Sequence, residues 1–467
     1  MKGLRVLGAL SVLCASVCVS LAMSTTALAK QPADFSYVQH LFNPQVMHQV
    51  NVELAAGDWQ DLLADPLAKK KYVATVTLDG EKCANAKFST KGSSSLLYVS
   101  RYTFFKDRYS YKVKFGKARF HGLDEVNLNN NFMDPSCAKD YLAYKLFQRA
   151  GVPAPYTSFV ELSVNGKPQG VYLAVEPQGK SFLARNRRSK GAFYKPDAEL
   201  AFGQKQFRKL TTNIRHTTLP EIHFERIPET RGTPGAALIY TDDKPESYTD
   251  IFHNAETKIT DADKQEMVTA LRNLHEGKVQ KALRPDEVIK YFAVHNFVTS
   301  WDSYSWKMLH NYGLYEDKGK LEVLPWDYNF AFSDMIPVKG TPNENIRDSV
   351  IHLDIDKPFF VGIDASERPL WKWIMDYKKY AQRYHRVLSR KVLPYFESGE
   401  FVRVMDALHD FLRPHLAKDP TYNYSLDAYD KAHAELVEFC LARTKSVRAQ
   451  LSPRGSSPRG SDLFGEK

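Results

Sequence analysis

The chain has 467 residues, of which 43% are hydrophobic and 25% are charged, and its formal net charge is +10. This length suffices for two domains or one large two-lobed domain, and the composition is that of a soluble globular protein. Part of the positive charge lies at the N-terminus and in a basic C-terminal tail. No predicted helix carries a long stripe of Lys and Arg, so we expect no nucleic-acid partner.

The N-terminus has the organisation of an export signal. Lys2 and Arg5 precede an apolar run over residues 6–23, and Ala27-Leu28-Ala29 is a small-x-small cleavage site. We expect cleavage near Ala29 and a mature protein that is secreted or resides in the periplasm or cell envelope, without a stable membrane span. An uncleaved anchor is the alternative, since the run is barely long enough to cross a bilayer.

The mature chain keeps three cysteines, at positions 83, 137 and 440. An odd number is a poor disulfide framework, although one bridge between Cys83 and Cys137 with one free thiol is allowed.

Strand patterns dominate the first half of the mature chain. Residues 72–80 and 109–115 alternate apolar and polar side chains, and Asn165-Gly166 is the turn of a hairpin over 157–177. One amphipathic helix, ending at Gly151, lies between these strands. This order predicts an α+β lobe built on an antiparallel sheet with one packed helix.

Two features of this lobe suit phosphate binding. The loop that begins Lys91-Gly92-Ser93 offers backbone N–H groups and hydroxyls, and Lys112 and Lys114 share one face of a strand. The alternatives are a flexible turn and a solvated strand face. Glu176, which ends the last strand of the lobe, is a further candidate contact for a nucleotide.

Helical patterns dominate from residue 261 onward, after a polar and weakly periodic segment at 181–260. The stretch 301–332 interrupts them with a hairpin whose turn is Glu316-Asp317-Lys318-Gly319. Asp302, Asn311 and Asp327 flank this hairpin. Oxygen ligands of this kind suit Mg²⁺ and, through the metal, phosphate oxygens. Two acids beside an ordinary hairpin are the alternative interpretation.

Several pieces of the chain resemble the spore-coat-protein-H (CotH) kinase family. They are LLYVSRYTFFKDRYSYKVKF, RAGVPAP, VNGKPQGVYLAVEP, FYKPD and, above all, DSY followed by HNYGLYED and GKLEVLPWDYNFAF. The resemblance runs from about residue 50 to about residue 450. It implies a two-lobed atypical protein-kinase-like α+β fold, whose mainly helical C-terminal lobe carries the catalytic β-hairpin.

The resemblance also implies site residues and cofactors. Asp302 corresponds to the family's catalytic acid and Asp327 to its metal-binding acid, while Asn311 is a second metal or phosphate ligand by analogy with the kinase catalytic loop. Either Lys112 or Lys114 is the implied phosphate lysine. The implied cofactors are ATP and Mg²⁺, and the implied partner is a protein with Ser or Thr acceptors. Ser93 replaces an Asn that many members have in the loop.

The predicted organisation is a signal peptide at 1–29, an N-terminal kinase-like lobe at 30–180, a connecting insert at 181–260, a C-terminal catalytic lobe at 261–451 and a disordered tail at 452–467. Three functions remain open at this point: a secreted Mg²⁺-dependent protein kinase, another ATP-dependent protein modification (nucleotidylation or amino-acid ligation), and a non-catalytic envelope or surface binding module.

Overall fold

Seven strands of the N-terminal half form a closed barrel. The computed structural model describes residues 34–116, 119–197, 235–306, 308–332, 343–359 and 363–452, and these belong to one compact unit that begins at Asp34. The strands are β1 Met47–Glu53, β2 Tyr72–Leu78, β3 Glu81–Lys91, β4 Ser110–Lys114, β5 Glu125–Asn129, β6 Thr157–Val164 and β7 Lys167–Val175.

The barrel order is β1-β2-β3-β4-β5-β7-β6. Every neighbouring pair is antiparallel except β1 and β6, which run parallel and close the barrel. The prediction of an antiparallel sheet is therefore correct for six of the seven pairings and wrong for the closing one. Alternation shows which face of a strand is buried, but it does not show which strand lies beside it.

The interior of the barrel follows directly from this alternation. Tyr111, Val113 and Phe115 are buried, while Lys112 and Lys114 point away from the barrel core. The β6–β7 turn has Asn165 at φ 49° and Gly166 at φ 74°, as a two-residue hairpin turn requires. The hairpin predicted around these two residues is confirmed.

The N-terminal lobe contains five helices: α1 Tyr37–Leu41, α2 Ala56–Ala64, α3 Ser94–Arg101, α4 Lys139–Ala150 and α5 Lys180–Arg185. The predicted packed helix is α4, which ends at Gly151 with φ 81°. The serine run after Gly92 is not a loop throughout, because α3 begins at Ser94.

The C-terminal lobe is mainly helical. Its helices are α6 Thr249–Phe252, α7 Asp261–His275, α8 Val279–Ala282, α9 Pro285–Val298, α10 Asn343–Ile351, α11 Pro369–Asp376, α12 Lys378–Val387, α13 Leu393–Glu397, α14 Glu400–Leu416 and α15 Leu426–Leu451. The lobe also holds β8 Ala192–Tyr194, β9 Tyr312–Asp317 and β10 Lys320–Pro325, in the order β10-β9-β8. The two-lobed α+β fold expected from the sequence is confirmed.

Two parts of this lobe set the position of the site. Helix α9 is buried from Val288 to Val298 except at Lys290, and its C-terminus leads into Asp302. The predicted β9–β10 hairpin turns at Lys318 and Gly319, both with positive φ, and β10 leads into Asp327. A helix and a strand of one core therefore deliver the two predicted acids.

The two lobes are joined by more than the chain between them. Arg108, just before β4, pairs with Asp419 after α14 at 2.7 Å, and the two side chains are 3% and 0% exposed. Gly170 in β7 lies against the same carboxylate, so closely that a Cβ there would be 1.9 Å from an Asp419 oxygen. Glycine at 170 is therefore required by this contact.

Several expectations concern segments at the limits of the described structure. The predicted signal peptide, residues 453–467 of the tail and residues 198–234 of the insert lie outside the described residues. Within the insert, β8 pairs with β9 and thus extends the β9–β10 hairpin. No helix in the described part of the chain is long and apolar enough to cross a membrane.

The Cys83–Cys137 bridge is not formed. Cys83, Cys137 and Cys440 are all free thiols, and the latter two are buried. Burial raises the pKa of Cys137 and of Cys440, so neither is a reactive thiolate at neutral pH.

Candidate active site

A cavity of about 310 Å³ lies between the barrel and the C-terminal lobe. Strands β3 to β5, the connection Pro177–Gln178 after β7, and residues of the C-terminal lobe that include Trp326 line it. Five of its lining residues are lysines: Lys69, Lys71, Lys91, Lys112 and Lys195. Lysines that line a concave surface concentrate positive potential, as a polyphosphate ligand requires.

Lys91 stands at the end of β3 on the inner wall of this cleft. Its Nζ donates a hydrogen bond to Asn129 Oδ1 at 2.7 Å. Burial lowers the pKa of Lys91, while the charges of Asp327 and Asp140 oppose this shift. One lysine of the N-terminal lobe is thus held between an acid from each lobe.

Asp327 directly follows the cleft residue Trp326 and is fixed there by its backbone. It has φ 55°, in the left-handed region that non-glycine residues rarely adopt. Its N–H donates to Tyr144 Oη at 2.9 Å, and the next N–H, of Tyr328, donates to Asp140 Oδ1 at 2.7 Å. Both acceptors lie on α4, so α4 holds the segment after β10 against the barrel. Such strain persists where surrounding contacts impose it.

Asp140 and Asp327, the two acids whose charges act on Lys91, are not fully neutralised by it. Burial, and then the charge of Asp327, raises the pKa of Asp140 to about 7. Burial also raises the pKa of Asp327, which Lys91 lowers and Asp302 raises further. A bound divalent cation would relieve this repulsion. The carboxylate oxygens of Asp327 and Asp140 therefore fit Mg²⁺ better than a softer metal.

Asp302 is held by the segment that precedes β9. Asn311 Nδ2 donates to Asp302 Oδ2 and to its main-chain oxygen, both at 2.9 Å. The other carboxylate oxygen contacts His310 Nε2. The structure thus brings Asn311 to Asp302, and the acid is oriented from both sides.

The carboxylates of the cleft do not form a closed metal cage. Within the described residues, no three histidine, cysteine or acid ligand atoms of this cleft lie within 4.8 Å of one another. Magnesium sites of phosphoryl-transfer enzymes use one or two carboxylates together with substrate phosphates. An open set of acids agrees with that kind of site.

The sequence matches a known protein family over most of its length. A family model described as CotH kinase protein matches residues 88–447. The chain belongs to this family. The matched range contains Lys91, Asn129, Asp140, Asp302 and Asp327, and it begins inside β3, so the CotH match leaves out β1 and β2.

Two curated relatives have the same family name. Inner spore coat protein H of Bacillus subtilis (strain 168) is 24% identical over 349 residues, which are 73% of this chain and 83% of that protein. An inner spore coat protein H-like protein of the same organism is 38% identical over 77 residues, which are 16% of this chain and 25% of that protein.

The structure separates the two strand lysines of this CotH chain. Lys112 lines the cleft, whereas Lys114 is not among the lining residues and its side chain is 47% exposed. Both pair with Glu125, at 3.4 and 3.0 Å. Lys91 is the lysine whose charge most strongly lowers the pKa of Asp327.

The remaining predicted residues differ in their position relative to the cleft. Gly92 lines the cleft with φ 111°, and Ser93 is exposed before α3. Glu176 is fully buried, accepting hydrogen bonds from Arg185 Nη2 at 2.6 Å and from Tyr37 Oη at 2.5 Å. Its carboxylate braces the connection between the lobes, directly before the cleft residues Pro177 and Gln178.

Two buried amides face the cleft with unused acceptors. Gln178 Nε2 donates to Pro325 O at 3.1 Å, which directs Oε1 away from that carbonyl. In the described structure neither Gln178 Oε1 nor Asn127 Oδ1 has a hydrogen-bond partner. Buried acceptors without partners are unfavourable, so a hydrogen-bond donor that reached either oxygen would be stabilised there.

Sequence reasoning missed Asp140, Asn129, His310, Lys195 and Gln178. Asn129 belongs to an asparagine-rich run, and His310 directly precedes Asn311, so both carried a weak signal. Lys195 lies with Nζ 4.0 Å from the centroid of the Trp326 ring. No pattern in the sequence joins it to a tryptophan so far along the chain.

Proposed function

We propose that this CotH-family protein is a Mg²⁺-dependent protein kinase that transfers the γ-phosphoryl group of ATP to Ser or Thr hydroxyls of an exported or surface protein. The observation that carries the proposal is the meeting of Lys91, from the barrel, with Asp327, from the C-terminal lobe, in a lysine-lined cleft. A phosphate-binding lysine and a metal-binding acid that face each other across two lobes are the central parts of a kinase site.

The cleft suits the two ends of ATP. Lys91, Lys112 and Lys195 offer ammonium groups to the phosphates. The unused acceptors of Gln178 and Asn127 suit an exocyclic amino group, which adenine carries, and Gln178 follows the connection between the lobes. Their burial makes a matched donor valuable, because each acceptor left without a partner costs roughly 1–3 kcal/mol.

Asp327 and Asp140 would hold the metal. Bound Mg²⁺ neutralises phosphate charge and orients the transferred group. Lys91 lies between the two acids, so it keeps their combined charge from repelling the phosphates before the metal complex enters. The chain supplies position and charge rather than a covalent intermediate, as phosphoryl transfer requires.

Asp302 is placed to receive the acceptor hydroxyl. Asn311 holds one carboxylate oxygen and His310 the other, so the side chain is oriented before substrate arrives. An acid held in this way accepts a hydrogen bond from a Ser or Thr hydroxyl and takes its proton as the phosphoryl group leaves ATP.

The cellular location is part of the proposal. The leader over residues 1–29 favours export, so the substrate is a protein that meets this chain during or after export. The same cleft would also serve nucleotidylation or amino-acid ligation, and a non-catalytic binding module would keep the fold alone.

One experiment distinguishes these functions. The mature protein is incubated with Mg²⁺, a Ser-rich protein and ATP labelled at either the γ or the α position. We expect label from the γ position only, lost in Asp327→Ala and kept in Asp410→Ala, which changes an exposed acid on α14. Label from the α position would establish nucleotidylation, and an acceptor heavier by one amino acid would establish ligation. No label and no thermal stabilisation by ATP would exclude all three enzymes.

A further inference from the structure

Three metal-ligand side chains meet on the surface of the barrel, away from the interlobe cleft. They are His40 of α1, Glu81 at the start of β3 and His121 of the β4–β5 connection. One potential ligand atom of each lies within 4.8 Å of the other two, and within the described residues this is the only such group of three. None of the three lines the cleft.

The orientation of His40 favours coordination through one nitrogen. Its Nδ1 lies 2.9 Å from the main-chain oxygen of Ser36. A carbonyl only accepts, so Nδ1 carries the hydrogen and Nε2 presents its lone pair. Metal-binding histidines have this arrangement, in which the second ring nitrogen donates to a backbone carbonyl and fixes the tautomer.

His121 and Glu81 complete the donor set. His121 Nε2 is 2.8 Å from a Glu81 carboxylate oxygen, and the His40 and His121 rings are stacked with centroids 3.8 Å apart. In the metal-free state His121 Nε2 donates to Glu81, so a metal ion would replace this hydrogen. His40 and Glu81 are exposed, so their side chains can rotate out of the present stacked arrangement to coordinate the same ion. Asp34 adds a negative charge beside both rings.

We propose that His40, His121 and Glu81 bind a divalent transition-metal ion, with Zn²⁺ as the best match. Two imidazoles and one carboxylate suit Zn²⁺, whereas Mg²⁺ prefers oxygen ligands alone. Three protein ligands leave the fourth tetrahedral position to water. The site is chemically distinct from the acid cluster around Asp327.

The position of the site gives it a structural role. The three ligands belong to a helix, a hairpin and a loop, so one ion ties α1 to the barrel. Helix α1 already contacts this loop, because the Tyr37 N–H donates to His121 O at 3.1 Å. The same Tyr37 reaches Glu176 beside the interlobe connection. A metal on His40 therefore stabilises the helix that braces that connection.

The test uses the mature protein without a histidine tag, stripped of metal with a chelator. Calorimetric titration with Zn²⁺ is expected to give one equivalent bound, and Co²⁺ is expected to give the visible absorption of a tetrahedral site. His121→Ala and His40→Ala are each expected to weaken Zn²⁺ binding by roughly 100-fold, since each removes a ligand. Zn²⁺ is also expected to raise the melting temperature of the wild type clearly more than that of the two histidine variants.

Two controls keep the result specific. His385 forms a pair with Asp356 at 2.6 Å and belongs to no group of three potential metal ligands within the described residues, so His385→Ala is expected to leave the bound equivalent of Zn²⁺ intact. Asp327→Ala is expected to leave it intact as well, which separates this site from the cleft. Absence of binding to the wild type would overturn the proposal, and so would binding by both folded histidine variants that is as tight as that of the wild type.

Discussion

Lys91 is a buried lysine whose charge is opposed by burial and stabilised by nearby acids. Its pKa is lowered by burial, and its Nζ is held by Asn129 beside Asp327 and Asp140. In the proposed kinase site Lys91 faces the ATP phosphates. Lys91→Met removes this cation, so we expect kcat/KM for phosphorylation to fall by at least about 100-fold, as for a lost charge-stabilising group. Steady-state kinetics with labelled ATP measures this.

Lys87 provides the matched control for Lys91. It lies on the same strand, β3, one register position from Phe88, and its side chain is exposed. Lys87→Met keeps the strand and removes a solvated charge, so its kcat/KM should stay near that of the wild type. Equal losses in the two variants would show that Lys91 acts only through the stability of β3.

Asp140 makes the stability of the protein depend on pH. Its folded pKa is about 7 against an ordinary value of 3.8, so the folded state binds the proton more tightly than the unfolded chain does. The free energy of unfolding therefore falls as pH rises from about 4 to about 7. Asp140→Asn removes this dependence and should gain about 1–3 kcal/mol relative to wild type between pH 5 and pH 8.

Urea unfolding of the two proteins at pH 5 and pH 8 gives the four free energies that are needed. Comparing the change with pH in each protein cancels titrating groups that do not interact with Asp140, including Glu316, whose pKa is also raised to about 7 by burial. The difference reports Asp140 together with Asp327, whose charge acts on it. Identical pH dependences would mean that Asp140 is ionised in the folded protein throughout this range.

At the scale of elements, the connection between the lobes depends on a buried ion pair. Arg185 of α5 pairs with Glu176, and the two side chains are 15% and 0% exposed. Arg185→Met leaves a carboxylate buried with only neutral donors, at an expected cost of about 3–5 kcal/mol in the free energy of unfolding. Denaturation in urea measures the difference.

A pair of the same chemical type lies at the surface. Arg149 of α4 meets Glu400 of α14 at 2.9 and 3.0 Å, with 38% and 39% of the side chains exposed. Solvent screens this pair, so Arg149→Met should cost about 0–1 kcal/mol. The contrast tests whether burial determines the contribution of an ion pair to stability. A loss of unfolding free energy for Arg149→Met as large as that for Arg185→Met would contradict this.

Sequence reasoning identified most elements but not their partners. The β9–β10 hairpin, the β6–β7 turn at Asn165-Gly166 and the buried helix α9 follow from local periodicity and turn residues. The long helical pattern before residue 397 is broken at Tyr377 and contains a π-helical turn over 388–392. Such breaks arise from tertiary packing, which propensity does not register.

The residues of the candidate site also differ in whether local sequence patterns reveal them. Asp302, Asn311 and Asp327 were predictable because one hairpin connects them and because this stretch resembles a known family. Asp140 and Lys91 reach the same cleft from the other lobe. Their pairing with Asp327 depends on how α4 and β3 are arranged, and no local pattern contains that arrangement.

At the scale of the whole molecule, the Arg108–Asp419 pair unites the lobes. Asp419 Oδ2 also accepts the N–H of Val171 at 2.8 Å, so one carboxylate serves both β7 and the residue before β4. Asp419→Asn leaves the Arg108 guanidinium buried without a counter-charge, and we expect a loss of about 3–5 kcal/mol. Thermal unfolding of the mature protein measures it.

The acid of a surface pair is the reference for this change. Asp430 pairs with Arg413 at 2.9 Å, where both side chains are partly exposed, and Asp430→Asn should leave the melting temperature almost unchanged. If Asp419→Asn were equally harmless, the Arg108–Asp419 pair would contribute little to holding the two lobes together.

The parallel closure of the barrel governs the order in which the molecule is completed. Met47 of β1 pairs with Phe159 of β6, so the first strand made has no closing partner until the sixth has followed. The partner of Arg108 is synthesised later still, because Asp419 lies 311 residues further along the chain. Non-local pairings of this kind form late. The N-terminal lobe is synthesised first, but its contacts are complete only when Asp419, near the end of the chain, has been added.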